Sequence, residues 1–135
     1  MLRRSLRIAA VVIGIGSATA IIGLVLTTRR HALELLTSPA ATRPKPSRTP
    51  ADEGLDYEDV VVRTRDGVLL VGWYTASRNR AAVLLQHGYK ADRGEMLNEA
   101  AMLAKSGFGV LVSSIRAHDR SEGERISFGV HEMND

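Results

Sequence analysis

The residues of this 135-residue chain best equipped for chemistry fall in two polar stretches, Gln86-His87-Gly88-Tyr89-Lys90 and Ser114-Ile115-Arg116-Ala117-His118-Asp119-Arg120. Each contains a histidine, the side chain suited to moving protons near neutral pH. Gly88 would allow close approach to the backbone, and Ser121 adds a hydroxyl just beyond the second stretch. Taken alone, His87-Gly88 reads as a strand-ending turn. His87, His118 and His131 with Asp119 match no short ligand motif such as H-E-x-x-H, so ordinary loop histidines are expected, with no metal and no cofactor. The chain has no cysteine, which excludes disulfides and thiolate metal sites.

Each polar stretch follows an apolar run. Residues 81–86 (AAVLLQ) are nearly continuously apolar, as expected for a strand covered on both faces, and Val110-Leu111-Val112 reads as a second buried strand. Between them, Asp92-Arg93-Gly94-Glu95 has capping-box spacing, Leu97, Ala100, Ala101 and Ala104 recur at helical intervals, and Gly107 is placed to end the helix. Strand, helix and strand in sequence predict a βαβ unit with parallel strands. Both polar stretches then leave the carboxyl edge of the sheet, where open α/β sheets bind ligands. Upstream, the β-branched and aromatic runs at 59–63 and 68–74, joined through Asp66-Gly67, predict a hairpin.

The first third of the chain is different in kind. Ile8–Leu26 is nineteen residues without a charge, about the length that crosses the hydrocarbon core of a bilayer. It predicts a single transmembrane helix within a membrane anchor at 1–30. A cleaved signal peptide is the rival reading, but the apolar run is longer than a usual signal core, and cleavage near Ser17-Ala18-Thr19-Ala20 would leave IIGLVL on the mature chain. Arg3, Arg4 and Arg7 precede the run and Arg29, Arg30 and His31 follow it. Orientation is therefore weakly signalled, with a slight lean to an internal N-terminus and an extracytoplasmic domain. Residues 37–56 hold all four prolines and are expected to form an extended, solvated tether, with Arg43, Lys45 and Arg48 in solvent.

Locating the charge narrows the partners. Residues 1–56 carry eight Lys/Arg against four Asp/Glu, net +4, and residues 57–135 carry ten against eleven, net −1, together the overall +3. The excess basicity flanks the apolar run and points to lipid headgroups, and the near-neutral remainder argues against nucleic acid.

The order of hairpin, apolar strand, HG-Y, the helix GEMLNEAAMLAKSGFGV, then IRAHDRSEG and FGVHEMND resembles the N-terminal half of α/β-hydrolase-fold serine hydrolases of the serine aminopeptidase-like kind. The likeness covers residues 57–135 and implies an α/β fold: the N-terminal part of a hydrolase sheet, preceded by the transmembrane helix. It also implies that Tyr89, following His87 and Gly88, supplies a backbone N–H to an oxyanion hole. Many such sequences read D-x-R-G-H-G-x-S-x-G at the second loop. Here Arg116, His118, Ser121 and Gly123 match, while Ser114 replaces the Asp and Ala117 and Asp119 replace two glycines, which leaves the loop's shape in question. Arg116, His118 and Ser121 are expected to be structural, the first two hydrogen-bonding loop carbonyls.

Hydrolysis in the family uses a serine in a G-x-S-x-G elbow followed by an acid and a histidine. No such elbow occurs in these 135 residues, and Ser121 lacks the first glycine. Catalytic residues are therefore expected to be absent. Gly129–Asp135 resembles the start of the helix before the elbow strand. The expectation is a membrane-anchored hydrolase fragment, inactive alone, that would meet a small acyl substrate only with its missing half supplied. The alternative is a non-catalytic, membrane-tethered interaction module.

Overall fold

The computed structural model describes residues 2–135, which divide into two compact units between Leu35 and Leu36. The first unit is helical. α1 runs Leu2–Thr42, so its last residues belong to the second unit. Gly14, Gly16 and Gly23 would each weaken this helix in water by about 1 kcal/mol. In an apolar surrounding every backbone group must instead be bonded within the segment, which favours helix. The hydroxyls of Thr19, Thr27 and Thr28 follow the same logic, donating to the carbonyls of Ile15, Gly23 and Leu24. The apolar side chains of residues 8–26 in α1 are exposed, and the helix's length and composition are enough to cross a membrane.

The second unit is built on a four-stranded sheet in the order β1-β2-β4-β3. β1 (Glu58–Arg63) and β2 (Leu69–Thr75) form the expected antiparallel hairpin. Its connection is closed by Thr64, whose hydroxyl donates to Asp66 and accepts from the Val68 N–H. β3 (Ala82–Gln86) and β4 (Gly109–Ser113) are parallel, and β4 is antiparallel to β2. The helix between β3 and β4 begins with a 3₁₀ turn at Arg93–Met96, not directly as α-helix. Asp92 caps that turn, its carboxylate accepting from Gly94 N–H. α2 then spans Leu97–Lys105.

α2 ends in a Schellman arrangement: Gly107 N–H donates to Ala104 O and Phe108 N–H to Leu103 O. Gly107 has φ +92°, a backbone that a side chain would strain. Leu97, Ala100 and Ala104 pack onto Trp73, Val110 and Val112 to form the core. Only one face of β3 shares in it. Ala82, Leu84 and Gln86 are exposed, Leu84 by 54%, so the expectation of a strand covered on both faces is corrected. β3 is an edge strand, as β1 is at the other side of the sheet, and its alternate side chains point away from α2.

The Pro-rich stretch is the larger correction. It is neither extended nor solvated throughout. α1 continues through Pro39 to Thr42 and stops at Arg43, which has φ +39° and precedes Pro44, a position where proline disfavours helical backbone. Pro39 and Pro50 are fully buried, Ile126 N–H donates to Leu36 O, and a 3₁₀ turn at Pro50–Glu53 packs on α2. The Asp52 carboxylate accepts from the N–H and hydroxyl of Thr49, and Arg48 pairs with Glu53. Composition made this stretch look like a tether because Pro and Arg read alike whether solvated or docked.

Candidate active site

β3 and β4 end opposite each other, Gln86 beside Ser113, so the two polar loops leave the carboxyl edge side by side. A histidine from each reaches into the other loop. His87 Nε2 lies 3.4 Å from Ile115 N, and His118 Nε2 lies 3.2 Å from Lys90 N. A backbone N–H can only donate, so both Nε2 atoms must be unprotonated acceptors. The neutral rings then carry hydrogen on Nδ1, and each Nδ1 lies 2.9 Å from a carbonyl, Gly88 O and Arg116 O respectively. The rings meet edge-on, with centroids 4.9 Å apart. Burial holds the pKa of both below the ordinary histidine value, which keeps the acceptors uncharged.

The second loop keeps a tight shape without its glycines. Ala117 has φ +63° and Asp119 φ +46°, left-handed backbone that costs an L-residue roughly 1–2 kcal/mol each. Surrounding bonds impose it. Ala117 N–H donates to Glu122 O, and Ser121 N–H to His118 O. The Ser121 hydroxyl, fully buried, donates to Ser114 O at 2.7 Å and accepts from Val71 N–H at 3.0 Å. Both roles of that hydroxyl are occupied, as fits a structural serine.

His118 does bond a loop carbonyl, as expected, but Arg116 does not. It is held between two carboxylates, with Nη1 3.0 Å from Asp66 and its Nε and Nη2 on Asp135. The fork of donors on Arg suits such paired acceptors. The bond from Arg116, with that from the Thr64 hydroxyl, lowers the Asp66 pKa to about 2. Two further arginines carry roles that the sequence did not signal. Arg93 is buried, its guanidinium 4.0 Å from the Trp73 ring centroid and 3.3 Å from the Asp119 carboxylate. Arg43 donates to three carbonyls of the second loop, Asp119 O at 3.2 Å, Ser121 O at 2.7 Å and Gly123 O at 2.9 Å.

Tyr89 lies between His87 and Lys90 at this edge, 38% exposed, its ring 5.4 Å from that of Phe128. Lys90 has φ +60°, so the turn after Gly88 is also tight. At the chain's end, Gly129–Asp135 forms turns and a short 3₁₀ helix at Glu132–Asn134. Burial alone would raise the Glu132 pKa, but bonds from the Ser127 hydroxyl and the N–H groups of Gly129 and Ser127 outweigh it, to about 2. A groove of about 460 Å³ lies at the opposite end of the sheet, lined by Leu55, Tyr57, Tyr74 and Arg78 among others, and shares no residue with the two loops. Among the described residues no group of three or more His, Asp or Glu is placed to hold a metal ion.

No family model and no curated protein matches the chain. Solved structures do. The chain is 32% identical to the Pyrococcus furiosus esterase Pf2001 in one crystal form, with a TM-score of 0.64 over 69% of this chain and 37% of that one. A second form gives 33% identity and a TM-score of 0.65, over 69% and 38%. The solved structures that the chain matches are α/β-hydrolases, and the chain shares the fold of part of them. An α/β-hydrolase from Vibrio vulnificus, 19% identical, shares the fold with a TM-score of 0.56 over 80% of this chain and 39% of that one. The chain thus spans somewhat over a third of the length of the esterase it matches.

Proposed function

We propose that this chain is a membrane-anchored portion of an α/β-hydrolase acting on acyl ester or peptide bonds, in which the Tyr89 backbone N–H lines the oxyanion hole. These 135 residues alone do no hydrolysis. The observation that carries the reading is the exchange of hydrogen bonds between the two loops, His87 with Ile115 and His118 with Lys90, which braces the backbone on both sides of Tyr89. A backbone donor held in advance toward developing negative charge is worth several kcal/mol in a site shielded from water. No residue of the chain stands in a G-x-S-x-G elbow, and Ser121 is committed to backbone bonds. Support for the anchor is the long apolar helix, with the bilayer as its partner and a small acyl compound as the substrate of the completed site.

The test is fluorophosphonate labelling of the purified full chain in detergent micelles, beside an assay with a simple acyl ester. No adduct and no turnover are expected. Turnover that disappears when one of the chain's own serines is replaced would overturn the reading.

A further inference from the structure

We propose that Arg43 is a positioning residue for the oxyanion loop, acting from the strap that follows α1 through the second loop and His118 onto the backbone beside Tyr89. The inference rests on the reading of Tyr89 given above. Arg43 is fixed at both ends of its side chain: its own N–H donates to Pro39 O at 2.7 Å, and its guanidinium gathers the carbonyls of Asp119, Ser121 and Gly123. Those three carbonyls alternate along one short loop, and a planar fork of five donors can bond all three at once where a lysine ammonium could not do so in the same geometry.

The loop needs such a clamp because Ala117 and Asp119 hold left-handed backbone without glycine, and strained conformations persist only where the surroundings over-determine them. His118 sits between those two residues. Its Nε2 accepts the N–H of Lys90, the residue directly after Tyr89, so a shift of the second loop is passed to the turn that aims the Tyr89 N–H. Arg43 also acts on His118 by charge. Burial is the main reason that the His118 pKa is low, and the Arg43 cation lowers it further, keeping Nε2 an acceptor. His87, also titratable, faces that ring edge-on. The buried Pro39 and Pro50 and the Ile126-to-Leu36 bond hold the strap in place. The residues that join the anchor to the domain are therefore part of the site's support.

The test compares the full chain in micelles with its Arg43→Ala and Arg43→Lys variants. It reads amide hydrogen exchange at Lys90 and the NMR titration of His118, with Gly109 N–H, bonded to Ala81 O, as the control. In Arg43→Ala, Lys90 exchange should rise about tenfold, the His118 midpoint should move up, Gly109 should be unchanged, and guanidinium at low millimolar concentration should restore Lys90 protection. Arg43→Lys should keep the His118 midpoint near wild type yet lose the Lys90 protection. Unchanged Lys90 exchange in Arg43→Ala would overturn the proposal, as would a loss of protection shared equally by Gly109 in both variants. A fluorophosphonate adduct on the chain would sink the functional reading and leave these exchange values standing.

Discussion

The loops at the carboxyl edge and the surfaces of α1 and β3 treat water in opposite ways. The loops bury polar side chains, His87, Arg116, His118, Asp119 and Ser121 among them, and most of their donors and acceptors meet within the chain. The helix and the edge strand leave apolar side chains bare, from Ile13 and Leu24 in α1 to Leu84 in β3. A satisfied polar network gives up little by being buried and specifies geometry. Bare apolar surface carries a standing cost of about 25 cal/mol per Å², and an open strand edge favours pairing with another chain. The loop network is largely bonded within the chain, although buried polar atoms of Arg93, Ser114 and Asp119 have no hydrogen-bond partner among the described residues, whereas the apolar surfaces of α1 and β3 are bare.

The sharpest way to break that contrast is truncation. Residues 57–135 alone would keep the open edge and lose the strap with Arg43, so aggregation or partial disorder is expected, while residues 36–135 should resist proteolysis measurably longer. A monomer of 57–135 with a sharp, reversible melt would refute this and favour a non-catalytic module. Next in size is Arg116→Ala. Removing one partner from a buried ion pair costs about 3–5 kcal/mol, and the Asp135 carboxylate facing Arg116 is 1% exposed. A fall of that order in urea stability is expected, and a change below about 1 kcal/mol would mean that water reaches the pair.

Acid should act on the latch between the loops. His87 and His118 are neutral in the fold with pKa values below 6.5. As pH falls through 6.5, the unfolded chain takes up protons that the folded chain refuses. Stability is therefore intact above that pH and is lost below it, by up to about 1.4 kcal/mol per pH unit for each histidine. His118→Gln keeps an acceptor for Lys90 N–H and cannot titrate, so its stability should fall less steeply in acid, and an unchanged slope would exclude His118 as a source. Smallest is Ala117→Gly, which relieves left-handed strain at the expense of a more flexible unfolded chain. A net gain of about 0.5 kcal/mol is expected in the thermal midpoint, and destabilisation would show that Ala117 is not strained.

Much of the scaffold was legible because its signals are local. The hairpin followed from β-branched runs around Asp66-Gly67, the βαβ unit from apolar periodicity, and the helix ends from Asp92 and Gly107. What failed was set by distant contacts. Arg43 looks solvated until its carbonyl partners, 76 to 80 residues away, are known. The tight second loop was hidden because glycine, its usual sign, is missing at 117 and 119 while tertiary bonds impose the same backbone. Arg116 was expected on carbonyls, since nothing local revealed that Asp66 and Asp135 would converge on it. The outward side of β3 was misread because an apolar run does not say whether both of its faces are covered.

The two histidines brace the loops from opposite sides, and nitrogen NMR of the imidazoles in the full chain at pH 7.5 reads this directly. Both rings should be neutral with hydrogen on Nδ1, and the Lys90 and Ile115 amides should exchange slowly. A hydrogen on Nε2 of either ring, or rapid averaging between the two forms, would contradict it.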